Sequence, residues 1–125
     1  MELKYYKRIL DGVKTAVIVA DQNLKAVYSN RAFDVLFPRQ KSRGNIGDFF
    51  TCAENTKKCG QTDGCRGCAL AGAFEDAFLS NREISRRVVH QVKSGSNVHE
   101  VSFSLKVTPL GGGMCMGAID DAYEL

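Results

Sequence analysis

Four cysteines lie within 17 residues of each other in the middle of the chain, and their side chains are the ones best suited to chemistry. They are Cys52, Cys59, Cys65 and Cys68, in the pattern C-x6-C-x5-C-x2-C. A soft metal binds thiolates that converge on one point, and a C-x2-C pair turns two sulfurs toward one ion. The glycines between them permit the backbone turns that wrapping a metal requires. The pattern therefore indicates a four-thiolate metal centre.

The spacing of the cysteines favours one kind of centre over another. Structural zinc prefers two closely spaced pairs, whereas this segment has one close pair, Cys65 and Cys68, and wider gaps before it. An iron–sulfur cluster is larger and tolerates uneven gaps. We therefore expect an iron–sulfur cluster of the 4Fe–4S type, with zinc as the alternative. Such clusters are labile, so protein prepared in air can lack one.

The same cysteines also allow interpretations without a metal. They can form two disulfides or remain idle thiols, although idle thiols usually lie among apolar residues and these lie among Lys, Thr, Asn and Gly. Thiol–disulfide exchange at Cys65 and Cys68 is another alternative, because the pair opens a predicted helix. The βαβ context of such exchangers is not predicted here. Cys115, between two methionines on a predicted strand, is expected to be a core residue.

Composition bounds the class of protein that carries these cysteines. The 125 residues, 44% hydrophobic and 25% charged, fit one domain spanning 1–125. The short apolar runs and the absence of a signal-peptide core predict a cytoplasmic protein without membrane spans. The net charge of +3 is mild and the basic residues are scattered, which argues against nucleic-acid binding. No catalytic motif stands out, so we do not expect an enzyme.

Hydrophobic patterns predict the elements that position the cysteines. Helical spacing predicts an N-terminal helix over 1–14, and Asn30 is a good N-cap for a short second helix. A cysteine-rich loop over 52–68 leads into a third helix that ends near residue 80. Strands are predicted over 16–20, 24–29, 84–93, 98–109 and 114–119. Five strands with helices inserted between the second and third predict an α+β fold, an antiparallel sheet covered on one face.

Two stretches of sequence resemble the PAS domain family. The segment from Val17 to Phe33, VIVADQNLKAVYSNRAF, is similar to the opening hairpin of that family, with its Asp-bearing turn and its Asn before the next helix. The segment from Gly117 to Asp121, GAIDD, resembles the family's last strand and its exit acidic residue. With the order of elements, the resemblance covers the chain from about residue 3 to about residue 121.

The resemblance implies a sensor instead of an enzyme. It implies a five-stranded antiparallel sheet with helices on one face, a ligand cavity between them and a homodimer formed through the N-terminal helix. Output would pass to a kinase or a transcription regulator, in cis or in trans. The residues expected to line the cavity or the core are Phe33, Phe74, Phe78, Phe103, Met114 and Met116.

Some PAS sensors hold iron–sulfur clusters for oxygen or redox detection. Together with the four cysteines, the resemblance leads us to expect a redox or oxygen sensor. The alternative is a PAS module that binds a small ligand or dimerises, with cysteines that have only a structural role.

Overall fold

The computed structural model describes residues 9–37, 69–94 and 97–125. Residues 9–11 are helical, and the helical segments in this part of the chain lack the length and hydropathy of a membrane span. The elements that follow are β1 (Ala16–Asp21), β2 (Ala26–Ser29), α1 (Arg31–Leu36), α2 (Ala69–Ser80), β3 (Ile84–Ser94), β4 (Asn97–Gly111) and β5 (Met114–Glu124). The predicted cysteine-rich loop over 52–68 lies outside the described residues, as do residues 1–8 of the predicted N-terminal helix.

The five strands form one antiparallel sheet in the order β2-β1-β5-β4-β3. The first and last strands pair at its centre, with Ala16 opposite Ile119 and Asp21 opposite Met114. Helices α1 and α2 come between β2 and β3 in the sequence, and both bury side chains in one core cluster against the sheet. The predicted α+β class, with a five-stranded antiparallel sheet, is confirmed.

The hairpin of β1 and β2 follows from the chemistry of its turn. The Asp21 carboxylate accepts hydrogen bonds from the backbone N–H groups of Asn23, at 2.9 Å, and Lys25, at 3.1 Å. Such Asx turns are the reason that aspartate favours this position. Leu24 has a φ of 61°, in the left-handed region, so β2 begins two residues later than the sequence pattern predicts.

The last strand is longer than predicted. The apolar alternation ends at Ile119, but β5 continues to Glu124. The extension is accommodated by a bulge in β5, where Asp121 and Ala122 lie opposite the single residue Phe103 of β4, and the φ of Asp121 is 51°. A bulge of this kind lets a strand keep pairing after its direction changes, without any hydrophobic signal in the sequence.

The core lies between the helices and one face of the sheet, called here the inner face. Residues of α2 that bury against it share one side of the helix, namely Leu70, Ala73, Phe74 and Ala77. Gly117 of β5 lies under α2, where a Cβ atom would stand 2.8 Å from Cζ of Phe74 and 3.3 Å from Cγ2 of Ile18. The lack of a side chain at Gly117 therefore allows the Phe74 ring to reach the sheet.

Asn30 connects three segments of the chain through a fully buried amide. Its Oδ1 accepts hydrogen bonds from the N–H groups of Val17, at 2.9 Å, and Phe33, at 3.0 Å. Its Nδ2 donates to the carbonyl oxygens of Leu10, at 2.9 Å, and Thr15, at 2.8 Å. The predicted N-cap is therefore confirmed, and the same side chain also fixes β1 and the segment before it.

We predict that Asn30→Ala lowers the free energy of unfolding by about 3 kcal/mol, because buried backbone groups of β1 and of the preceding segment lose their partner. Urea unfolding followed by circular dichroism measures the change. Asn23→Ala, at an exposed turn position, is the matched control and should lie within about 0.5 kcal/mol of the parent. Equal stability of the two variants would contradict the role of the buried amide.

We also predict that Gly117→Ala destabilises the protein by about 1–3 kcal/mol, because the new methyl group overlaps the Phe74 ring. Ala118→Ser adds an atom on the opposite face of the same strand and should be nearly neutral. Combining Gly117→Ala with Phe74→Leu should recover part of the loss seen with Gly117→Ala alone. The three unfolding midpoints test this, and a neutral Gly117→Ala would show that the contact is not tight.

Candidate functional site

The four cysteines of the predicted metal centre, Cys52, Cys59, Cys65 and Cys68, lie outside the described residues. Helix α2 begins at Ala69, directly after Cys68, and its Leu70 is 2% exposed against the sheet. The chain leaving the last cysteine therefore enters a helix that is fixed to the core. Among the residues that the structure describes, no group of three or more His, Cys, Asp or Glu side chains can hold a metal ion. The four-cysteine centre remains a prediction.

Cys115 is separate from that cysteine segment and belongs to the core, as the sequence predicts. Its side chain is fully buried on the inner face of β5, in the same cluster as Phe74 and Ile119. Burial raises the pKa of the Cys115 thiol. Because the thiolate is the form that binds metals and attacks electrophiles, burial makes Cys115 a poor ligand and a poor nucleophile.

The four phenylalanines predicted to line the core or a cavity all contact the core on the inner face. Phe33, Phe74 and Phe103 are fully buried, and Phe78 is partly buried against the same cluster. Phe37 joins them, with its ring centroid 5.2 Å from that of Phe33 and 5.8 Å from that of Phe103. Its position four residues after Phe33, on the same side of a predicted helix, is the feature of the sequence that indicates this core position. The Phe37 ring therefore packs on the rings of both Phe33 and Phe103.

The two methionines of the predicted set lie elsewhere. Met114 and Met116 alternate along β5 with Cys115 and Gly117, whose buried positions define the inner face. Side chains of neighbouring strand residues point to opposite faces, so both methionines lie on the face away from the helices, called here the outer face. A cavity on the helix side would therefore not include them.

His90 is the polar residue among the buried side chains of β3. It is 7% exposed and lies between Val88 and Val92 on the inner face, where strand alternation places all three. An imidazole can donate and accept hydrogen bonds, so this position places a polar group between two buried valines. A lone histidine on a strand is usually structural, so the sequence carries no signal for a site role at His90.

Two open grooves lie on the described residues, and neither is lined by the four phenylalanines. One, of about 780 Å³, runs between residues 11–16, α1 and the end of β5. The other, of about 550 Å³, lies on the outer face, and its walls include Ser85, Arg87, Ser104 and Lys106. The predicted ligand cavity is therefore a different place from both grooves.

A cluster around Arg87 crosses the outer face from β3 to β5. The Arg87 guanidinium donates to Oγ of Ser102 at 2.8 Å, to Oδ2 of Asp121 at 2.9 Å and to the backbone oxygen of Asp121 at 3.0 Å. It also lies over the Tyr123 ring, 4.8 Å from its centroid, in a cation–π contact. The sequence carries no signal for this cluster, because neither the bulge nor the longer β5 was predictable.

Comparisons with solved structures find several PAS domains. The chain is similar to a PAS domain from Colwellia psychrerythraea, with 13% identity, a TM-score of 0.60 and 95% of each chain covered. It is also similar to a domain of a sensory box sensor histidine kinase/response regulator from Geobacter sulfurreducens, with 14% identity, a TM-score of 0.58, and 94% of this chain and 92% of the other covered.

A further similarity is to a fungal LOV-domain photoreceptor, with 16% identity, a TM-score of 0.55, and 86% of this chain and 76% of the other covered. No protein-family model and no curated protein match the sequence. Because identities this low still accompany coverage of nearly the whole chain, the similarity lies in the arrangement of strands and helices. The chain has the fold of a PAS domain.

Proposed function

We propose that this chain is a sensory PAS domain that reports redox state or oxygen through a metal centre held by Cys52, Cys59, Cys65 and Cys68. The observation that carries the proposal is the cluster of four cysteines in 17 residues of polar, glycine-rich sequence. Thiolates so closely spaced suit a soft metal, and the uneven gaps suit an iron–sulfur cluster better than zinc. When bound, the cluster would supply an electron-accepting, oxygen-sensitive group.

The described residues support this proposal in two ways. Helix α2 follows Cys68 without a linker and packs on the inner face through Leu70 and Phe74, so a change at the cysteine segment has a direct route to the sheet. Cys115, in contrast, is buried on β5 and kept protonated, which leaves the other four cysteines to bind the metal.

The proposed output is a kinase or a transcription regulator, in cis or in trans. One of the similar structures is a domain of a sensor histidine kinase/response regulator, which favours a kinase. We also propose a homodimer through the N-terminal helix. In support, residues 9–11 are helical and tied to the sheet, because the Asp11 carboxylate accepts from the Tyr28 hydroxyl at 2.8 Å and from the Arg31 N–H at 3.0 Å.

A second candidate function is a PAS module that binds a small organic ligand on the inner face. His90 favours it, because a polar group among buried apolar side chains is a common way to orient a ligand. In that case the four cysteines would be structural, and ligand binding would survive their replacement by serine.

We predict that protein expressed and purified without oxygen contains iron and sulfide and absorbs at about 400 nm, the region of iron–sulfur charge transfer. Iron, sulfide and zinc analysis together with the visible spectrum measure this. A colourless protein with one zinc ion per chain would show that the site is a structural zinc site and not an iron–sulfur cluster. A colourless protein without metal would reject the metal centre.

Serine substitutions assign the ligands. Cys65→Ser and Cys68→Ser should each lower the iron content several-fold, because each removes one thiolate. Cys115→Ala is the matched control and should retain the full iron content, since Cys115 is buried away on β5. If Cys115→Ala loses as much iron as Cys65→Ser, the assignment of the four ligands is wrong.

A further inference from the structure

Two consecutive arginines on β3 pair with acids on opposite sides of the sheet. Arg86 points to the inner side and forms an ion pair with Asp76 of α2. Arg87 points to the outer face and forms an ion pair with Asp121 of β5, at 2.9 Å. Neighbouring strand residues always face opposite ways, so the two guanidinium groups share one short piece of backbone.

The contact of Arg86 with α2 extends along the helix. Its Nη1 stands 3.5 Å from the position that a Cβ atom would occupy at Gly72, and its Nη2 donates to the Asp76 carboxylate one turn later. Residues four apart lie on one side of a helix, so Arg86 follows a single side of α2. A shift of α2 along or away from the sheet would therefore act directly on Arg86.

The contacts of Arg87 hold the end of the chain, residues 121–125, called here the C-terminal segment. Beyond Asp121, the segment pairs with β4 through Tyr123 opposite Ser102, and the Leu125 N–H donates to the Glu100 carbonyl at 2.9 Å. All five of its residues are exposed. The segment is thus held by backbone pairing and by Arg87, with little burial.

Few and exposed contacts make an element easy to release. The Arg87–Asp121 pair is 35% and 76% exposed, and the Arg86–Asp76 pair is 38% and 47% exposed. Water screens such pairs, so each is weak alone, and segments with little burial open locally well before the whole domain unfolds. The hold of Arg87 on the C-terminal segment therefore depends on weak, exposed contacts.

We propose that Arg86 and Arg87 form a coupling link, through which the position of α2 sets how firmly the C-terminal segment is held against β4. In the docked state, the Arg87 side chain reaches across β4 and contacts Asp121 and Tyr123 of the segment. When α2 moves and Arg86 follows it, β3 shifts and the clamp on Asp121 and Tyr123 loosens. The proposed function supplies the signal that moves α2, but the link itself does not depend on what that signal is.

The test uses a single tryptophan as a reporter, since the chain has none of its own. Tyr123→Trp places it under the Arg87 guanidinium, where acrylamide quenching reads the docking of the segment. Hydrogen exchange at residues 121–125 gives a second reading on the chain without the reporter. Both readouts are collected on three variants: Arg87→Gln, Asp76→Asn and the two changes combined. The Asp76 side chain pairs with Arg86 and not with the C-terminal segment.

We expect Arg87→Gln to raise quenching and to speed exchange at residues 121–125 several-fold. We expect Asp76→Asn to shift both readouts in the same direction by at least about twofold. The combined variant should differ little from Arg87→Gln alone, because both changes act on one link. Thermal unfolding by circular dichroism on each variant checks that the fold is retained.

Two matched controls separate the link from a general effect of charge. Glu75→Gln removes the neighbouring exposed acid of α2, and Lys106→Gln breaks the exposed Lys106–Glu83 pair, at 3.6 Å. Both should leave the C-terminal segment as in the parent. If Asp76→Asn also leaves it unchanged, or if Glu75→Gln shifts it equally, the coupling is refuted. Neither readout involves metal or ligand, so failure of the proposed function would leave this result standing.

Discussion

The buried amide of Asn30 is the constraint from which the rest of the structure follows. An amide in the core must satisfy both its oxygen and its nitrogen, and Asn30 does so with backbone groups of Leu10, Thr15, Val17 and Phe33. Those groups belong to the segment before β1, to β1 and to α1. Because each hydrogen bond has a fixed direction, the entry to the sheet and the first helix are held in one relation to each other.

The two faces of the sheet then take different tasks. The inner face is mainly apolar and packs against α2, where Gly117 lets Phe74 approach closely, so α2 and β5 are in tight contact. The outer face is polar and carries the Arg87 cluster. Strand alternation assigns residues to these faces. On β3, the adjacent residues Arg86 and Arg87 therefore lie on opposite faces of the sheet.

The fold was predictable where a local rule decides the conformation. The turn at Asp21, the N-cap at Asn30 and the apolar side of α2 each have a short-range cause, and the structure has all three. Strand alternation and element order were then enough for the α+β class with its antiparallel sheet.

Features that depend on long-range contacts were not predictable. The extension of β5 past Ile119 depends on a bulge at Asp121 that lets the strand keep pairing with β4, and the face of Met114 and Met116 depends on which side α2 covers. The pairing of Asp121 with a residue 34 positions away has no signal in the sequence. The candidate metal centre differs from these features, because the evidence for it comes from the types and spacing of residues in the sequence alone.

The pairing of β1 with β5 has a consequence for any longer polypeptide in which such a domain is embedded. Ala16 and Ile119 face each other across two hydrogen-bonded strands, so the backbone enters β1 next to the point where β5 passes beyond β1 and continues beside β4. Adjacent antiparallel strands are separated by roughly 5 Å. A sliding of one central strand along the other would therefore reach both flanking segments at once, as an equal and opposite displacement.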